Sequence, residues 1–310
     1  MKSLPFFLSL PLAFAIAWGD RDRSIPVVPE TSRQPADALR AALNWLSQQQ
    51  DADGYWGSGD SRALLTSVSL LAFLLQGETP MSWEHGLCVS KGLRALIRET
   101  SPETIHPPDR RALLVWSLSE AYGLTRIPIV LESLKSQAVL LDFKSPTPWH
   151  SLAADSLSAR GANPELARQA FLSLTDIWTN QTPDLVNQAA LFLIAHRQRN
   201  VEARAYHLEA LRRLNPDNWQ KHPTPLISAV LLSQALLRAG GKDWARWSEQ
   251  FFPFLAKQQL RSGKSGWWTA ESLNLNSSEC LALPPESQTL FITACLLLAY
   301  PPSSPPPPAL

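Results

Sequence analysis

Two distant stretches of this chain end in the same way: Ala42-Leu-Asn-Trp-Leu-Ser-Gln-Gln-Gln-Asp-Ala-Asp-Gly-Tyr-Trp56 and Phe254-Leu-Ala-Lys-Gln-Gln-Leu-Arg-Ser-Gly-Lys-Ser-Gly-Trp-Trp268. Each begins as a helix that closes in glutamines, passes through a polar turn and reaches Gly-x-Trp before the next apolar helix. A Gly-x-Trp turn that recurs within one chain indicates stacked helical hairpins. The signature therefore predicts a fold more firmly than it predicts an activity.

The composition favours an all-α protein. The chain has 310 residues, which is enough for one large domain or two small ones. Hydrophobic residues make up 45% of it, which is enough for a sizeable core. Only 13 residues are glycine, and β-branched residues seldom alternate with polar ones. We therefore expect helices rather than strands.

The N-terminal segment resembles a secretory signal. Within residues 1–17, Lys2 is the only charge, an apolar run follows it, and Ala15-Ile16-Ala17 provides a small-x-small cleavage site. A membrane anchor is the alternative, but about 15 apolar residues are fewer than the ~20 that a membrane span needs. We expect cleavage, export to the periplasm or the extracellular space, and no integral membrane span afterwards.

Composition also sets the domain limits. Residues 18–34 are rich in proline and charge and are predicted to form a linker. The tail 301–310 is rich in proline and is expected to be extended or disordered. One domain should therefore occupy residues 35–300.

Charge and cysteine content exclude several classes of protein. Removal of residues 1–17 takes away Lys2 and leaves 27 basic and 27 acidic residues. This balance argues against binding to nucleic acid and offers no basic patch for anionic lipid. Cys88, Cys280 and Cys295 allow at most one disulfide, which excludes a disulfide scaffold, and Cys295 is expected to be buried.

Helical segments alternate between two kinds along the chain. Six are apolar nearly all round, as buried helices are: 63–76, 111–122, 150–160, 185–197, 226–239 and 288–300. Each follows an amphipathic segment, and these are 35–50, 86–99, 129–141, 164–178, 202–214 and 242–260. Four of the apolar segments stop at glycines suited to a left-handed cap, namely Gly77, Gly123, Gly161 and Gly240.

Six inner helices wrapped by six outer helices satisfy both patterns. An open solenoid is the alternative, but its terminal helices need polar outer faces. The last apolar segment, 288–300, is among the most hydrophobic in the chain. We therefore predict an (α/α)6 toroid of six helical hairpins, each made of an outer helix and the inner helix that follows it.

The chain resembles the terpenoid-cyclase and protein-prenyltransferase superfamily of α/α toroids, which includes the squalene–hopene cyclases. The similar stretches are 43–57, 112–125, 239–247, 258–268 and 293–300. In that superfamily, Gly-x-Trp turns link an outer helix to the next inner helix. The resemblance implies this role for Gln49 or Gln50 with Gly54 and Trp56 in the first turn. In the second turn it implies the same role for Gln259, Gly266 and Trp268. A ligand-stacking role for the two tryptophans is the alternative.

The acidic motifs of this superfamily are missing. Its triterpene cyclases protonate their substrate with the central acid of Asp-x-Asp-Asp, and isoprenoid synthases that ionise a diphosphate use Asp-Asp-x-x-Asp with magnesium. Neither string occurs here. The nearest one, Asp51-Ala-Asp53, lies in the first Gly-x-Trp turn, where carboxylates are usually solvated.

The zinc and thioester motifs are missing too. Protein prenyltransferases hold zinc with Asp-x-Cys and a distant histidine, but no cysteine here has that aspartate and Gln288 stands in the place of the histidine. His85 and Cys88 are too few for a tetrahedral site. The Gly-Cys-Gly-Glu-Gln thioester is absent, and no Ser/His/Asp triad stands out. We therefore predict no catalytic residue, metal or cofactor.

The mouth of the toroid is the remaining place for a site. The N-termini of the inner helices should surround it, and their dipoles favour anionic groups there. The residues at these positions are Asp60, Asp109, Trp149, His150, Asp184, His222, Thr224 and Glu286. The three aspartates also suit plain N-caps, and His150 is the most distinctive of the set.

Three functions remain open at this level. The first is a non-catalytic toroid that binds an apolar small molecule or another protein, and the sequence does not choose between these partners. The second is an exported α/α-barrel enzyme acting on carbohydrates, by analogy of fold alone, with two mouth carboxylates ~5–10 Å apart. The third is an atypical terpenoid cyclase, against which the expected export argues.

Overall fold

The computed structural model describes residues 33–100, 107–144, 146–161, 163–222, 224–275 and 283–302. Within them the fold is all-α, as expected. The helices are α1 (Arg33–Gln48), α2 (Arg62–Leu75), α3 (Gly86–Arg98), α4 (Pro108–Thr125), α5 (Pro128–Ala138), α6 (Pro148–Arg160), α7 (Pro164–Thr179), α8 (Leu185–Arg197), α9 (Val201–Arg213), α10 (Pro225–Ala239), α11 (Gly241–Gln258), α12 (Ala270–Leu273) and α13 (Pro285–Ala299). Short 3-10 helices at Gly59–Ser61 and Pro216–Lys221 precede α2 and α10.

The six apolar segments form helices at the predicted places, and these helices are buried. Unbroken buried runs extend over Ala63–Leu74 in α2, Leu185–Ala195 in α8 and Pro225–Leu236 in α10. Because a helical turn takes 3.6 residues, runs of this length cover every face of a helix. Helices α2, α4, α6, α8, α10 and α13 contact one another in that order, and α13 in turn packs on α2.

The amphipathic segments form α1, α3, α5, α7, α9 and α11, which cover the buried helices. The predicted pairing of each with the following inner helix is wrong in detail. Helices α3, α5, α7 and α9 pack more extensively on the inner helix that precedes them. The reason is loop length, since only 126–127 separates α4 from α5 and only 198–200 separates α8 from α9.

A β-hairpin that the sequence analysis did not predict follows α11. Strand β1 (Leu260–Ser262) pairs antiparallel with β2 (Ser265–Trp267). Strand pairing of Leu260 ends α11 at Gln258, two residues before the predicted boundary. The hairpin lies on α1, where Trp267 stacks on Trp45 with ring centroids 5.9 Å apart.

Three of the four predicted glycine caps have positive φ. Gly161 and Gly240 follow their helices directly, and Gly77 follows α2 by two residues. The prediction for Gly123 is wrong, because α4 continues to Thr125 and Arg126 takes the left-handed position. A Cβ at Gly123 would lie 2.3 Å from Cδ of Arg160, so close passage of that side chain explains the glycine.

The ends of the chain are only partly covered. Residues 1–17, predicted as a signal peptide, and 303–310 of the predicted tail lie outside the described residues. The predicted linker also lies outside them, except that α1 already begins at Arg33. None of the described helices has both the length and the apolar character needed to cross a bilayer.

Candidate functional site

The first Gly-x-Trp turn places the indole of Trp56 in the core. Its Nε1–H donates a hydrogen bond to the carbonyl oxygen of Leu46 in α1 at 2.7 Å. Its backbone N–H donates to Oγ1 of Thr66 in α2 at 3.1 Å. A Cβ at Gly92 would lie 2.7 Å from the ring, so α3 passes directly over it. One tryptophan thereby joins three helices.

Gln50 and Gly54 complete this turn. The Gln50 side-chain amide donates to the carbonyl oxygens of Gly54 at 3.1 Å and Cys88 at 3.0 Å. Gly54 has φ of 93°, and a Cβ there would lie 2.4 Å from the carbonyl oxygen of Lys91. Only glycine combines this conformation with so close a backbone contact.

The second turn repeats the arrangement at the other end of the chain. Trp268 Nε1–H donates to the carbonyl oxygen of Leu255 at 2.8 Å, and its backbone N–H donates to Thr293 Oγ1 at 3.1 Å. The Gln259 side chain reaches α1 and donates to the carbonyl oxygen of Ala38 at 2.7 Å. A Cβ at Gly266 would lie 2.6 Å from Cδ of Gln259. Trp56 and Trp268 are both fully buried, so neither offers a ring face to a ligand.

The acidic residues at the predicted mouth have different environments. Asp184 is the N-cap of α8, and its Oδ1 accepts the Asn187 N–H at 2.8 Å. Asp60 and Asp109 are not N-caps, since Ser61 and Pro107 hold those positions. The two helices begin at other residues than expected: Asp60 lies in the preceding 3-10 helix and Asp109 in the first turn of α4. Glu286 lies in the first turn of α13, and its side chain is outside the described residues.

His150 and Trp149 lie in the first turn of α6. The Thr147 N–H donates to Nδ1 of His150 at 3.0 Å as part of a capping box. His150 is fully enclosed, and its Nε2 has no hydrogen-bond partner among the described residues. Burial lowers the pKa of His150. A neutral imidazole with no access to solvent is a helix cap rather than a general base.

His222, Asp184 and Ser228 come together in an arrangement like a Ser/His/Asp triad. Ser228 Oγ lies 2.9 Å from His222 Nδ1, and His222 Nε2 lies 4.0 Å from Asp184 Oδ1. However, the Thr224 N–H also donates to Nδ1, at 3.2 Å. Ser228 is fully buried in α10, with its Oγ 2.7 Å from the Thr224 carbonyl oxygen. A nucleophile must reach its substrate, and this hydroxyl cannot.

An ion cluster at the C-terminal ends of the inner helices was not predicted from the sequence. We define it as Glu120, Asp155, Arg160, Arg197 and Arg238. Asp155 in α6 accepts from Arg197 of α8 at 2.6 Å and from Arg238 of α10 at 2.8 Å. Glu120 in α4 pairs with Arg160 of α6. The cluster therefore ties four inner helices together.

The charges of this cluster shift the pKa values of Asp155 and of the neighbouring His196. Burial alone would raise the pKa of Asp155, but the charges of Arg238 and Arg197 outweigh it and hold that pKa below its ordinary value. Burial, together with Arg238 and Arg204, lowers the pKa of His196 to about 4. Three arginines near helix C-termini also offset the exposed carbonyl ends of the helix dipoles. The sequence signal was a charged residue inside an apolar run, namely Glu120 in 111–122 and Asp155 in 150–160.

Two of the three cysteines, Cys88 and Cys295, lie within the described residues. Cys295 is buried, as expected, and burial raises the pKa of Cys88 to about 12. Cys280 lies outside the described residues. Where the structure describes side chains, no three His, Cys, Asp or Glu residues gather as a metal site would need.

No protein-family model matches the chain, and no curated protein or solved structure matches it significantly.

Proposed function

We propose that this chain is an α/α toroid of the terpenoid-cyclase and prenyltransferase type. The succession of contacts among the inner helices supports this assignment, because the last one, α13, packs back on the first one, α2. The two Gly-x-Trp turns support it as well, since each joins an outer helix to an inner one. An open solenoid would leave its first and last inner helices without a shared contact.

We further propose that the toroid is a non-catalytic scaffold that binds another protein after export. The observation that carries this proposal is the burial of the inner helices on every face. Ala63–Leu74 of α2 and Pro225–Leu236 of α10 leave no helical face exposed to a central cavity. A pocket for an apolar ligand needs several hundred Å³ with accessible walls, so this packing favours a partner on the outer surface.

The apolar-ligand alternative can be tested by thermal unfolding. Purified mature protein is heated alone, with squalene in detergent, and with farnesyl diphosphate plus Mg²⁺. We expect an unchanged Tm and no product by mass spectrometry, because the described inner helices α2 and α10 offer a ligand no accessible face. A bound ligand at about 100 times its Kd would add ~2.7 kcal/mol and raise the Tm visibly. A cyclised or transferred product, or a raised Tm, would contradict the proposal.

The protein partner can be sought by cross-linking in intact cells of the source organism. An amine-reactive reagent should give one discrete adduct in the exported fraction, heavier than the chain and different in mass from its dimer. A variant with Trp56→Ala, which destabilises the packing of the helices, should give less of the adduct, because the partner is expected to bind the folded chain. A chain recovered solely as the uncross-linked monomer would refute the scaffold function.

A further inference from the structure

Helix α3 carries a partly exposed stripe, whose middle residue, Lys91, packs beside the Gly54 turn. Leu87, Lys91 and Arg94 follow at i, i+4 and i+7, so they share one face of the helix. Leu87 and Arg94 are exposed and Lys91 is half-buried, whereas Leu93 on the opposite face is buried. The stripe therefore points away from the core.

The loop before α3 extends this surface with large apolar side chains. Met81 is 92% exposed, Trp83 is 102% exposed and Leu87 is 70% exposed. A tryptophan as exposed as in an extended peptide is uncommon, and grouped exposed apolar residues mark interaction sites. We call Met81, Trp83, Glu84, Leu87, Lys91 and Arg94 the α3 surface.

The loop holds these side chains in a defined conformation. Ser82 Oγ accepts the Thr79 N–H at 2.9 Å, and Gly86 N–H donates to the Ser82 carbonyl oxygen at 3.1 Å. A Cβ at Gly86 would lie 2.8 Å from the Pro80 carbonyl oxygen, so the turn is tightly closed. Met81 and Trp83 are thus displayed from a structured turn, which lowers the entropy lost on binding.

The α3 surface has one acidic end and one basic end. The acidic residues Glu78 and Glu84 precede the helix, while residues 91–98 contain Lys91, Arg94 and Arg98 and no acid. Arg98 is already engaged, since it donates to Tyr55 Oη and to the Asp53 carbonyl oxygen. Arg94 makes no ion pair with any described residue.

We propose that the α3 surface binds the α3 surface of a second copy of this chain, with the two helices antiparallel about a twofold axis. An isologous interface must be self-complementary. Antiparallel packing meets this need, because it brings Glu84 of each copy to Arg94 of the other. Trp83 of one copy then stacks on the guanidinium group of Arg94 of the opposite copy. Leu87 packs on the aliphatic stem of the same arginine.

Charge favours a second copy over a lipid surface. The exposed Met81 and Trp83 belong to the end of the α3 surface that carries the exposed Glu84. Anionic headgroups would repel this end, although they would attract Lys91 and Arg94 at the other end. One helix face buries less area than a permanent dimer does, so we expect a weak association with a Kd in the range of about 10–100 μM. This inference does not depend on the proposed scaffold function.

The experiment is sedimentation equilibrium of the mature chain from about 1 to 200 μM, a range chosen around that Kd. Glu84→Lys and Arg94→Glu should each weaken dimerisation at least ~10-fold, since each puts like charges opposite one another. An equimolar mixture of the two variants should recover the dimer, because opposite charges again face each other at both ends of the mixed pair. Glu202→Lys, an equal change of charge in exposed α9, should have no effect.

The fold of each variant is checked by its far-UV circular dichroism spectrum and its Tm. These exposed substitutions should leave both unchanged. Trp83→Ala should weaken the dimer without a change in Tm. Three results would overturn the proposal: a wild-type chain still monomeric at about 200 μM, no recovery in the mixture, or Trp83-dependent binding of the monomer to vesicles of anionic lipid.

Discussion

The two Gly-x-Trp turns use the same hydrogen bonds over different distances along the chain. In the first, Trp56 bonds to Leu46 and Thr66, each 10 residues away. In the second, Trp268 bonds to Leu255 and Thr293, which are 13 and 25 residues away. Both turns thus form the same joint. In each, the indole N–H donates to a carbonyl oxygen of an outer helix, and the backbone N–H of the tryptophan donates to a threonine hydroxyl of an inner helix.

The turns differ in what their glutamines hold. Gln50 bonds within its own turn and to Cys88 at the start of α3. Gln259 bonds to Ala38 in α1, 221 residues earlier in the chain. Trp267 beside it stacks on Trp45 of the same helix. The first turn therefore stabilises a local hairpin, whereas the second joins the end of the domain to its beginning.

The largest expected effect is the loss of either buried indole. Trp56→Ala and Trp268→Ala should each lower the free energy of unfolding by ~3–5 kcal/mol, through lost burial and a cavity. Equal losses in urea unfolding would show that the two joints are equivalent. Trp83→Ala, in the exposed loop, is the control and should change stability by less than ~0.5 kcal/mol. A loss below ~1 kcal/mol for either buried tryptophan would contradict the comparison.

Substitution of the two glycines by alanine should reduce stability by different amounts in the two turns. Gly54→Ala should destabilise by about 2–4 kcal/mol, because φ is positive and the new Cβ would strike the backbone of Lys91. Gly266→Ala should cost only ~1 kcal/mol, since the Gln259 side chain can move aside. Urea unfolding of both variants measures the difference. A larger loss for Gly266→Ala would mean that the second turn is the more rigid one.

The smallest effect, and the most specific, concerns the glutamines. Gln50→Ala and Gln259→Ala should each cost ~1–2 kcal/mol, the value of a partly buried hydrogen bond and the carbonyl it leaves unpaired. Amide hydrogen exchange should locate the loss in α3 for Gln50→Ala and in α1 for Gln259→Ala. Unchanged exchange in α1 after Gln259→Ala would refute its role in joining the two ends.

Local sequence signals placed the helices well. Apolar runs predicted the inner helices within a few residues. The errors occurred where a distant residue decided the outcome. Gly123 was taken for a cap, but Arg160 from another helix explains it. The β-hairpin after α11 depends in the same way on α1, which supplies Trp45.

The candidate site was less predictable. Asp184 could be assigned as an N-cap because its partner Asn187 is only three residues away. The meeting of His222 with Asp184 could not be foreseen, nor could the pairing of Asp155 with Arg238, 83 residues later. Ion pairs of this kind leave only isolated charges in apolar runs, and a charge by itself does not name its partner.

By itself the sequence determined the all-α class, the alternation of buried and amphipathic helices and the two tryptophan turns, because these follow from periodicity and from contacts between near neighbours. The tertiary structure alone decided which helices pair, how the ion cluster assembles and that Gln259 reaches Ala38. Those contacts join residues far apart in the chain, and their geometry exists only after the helices have packed.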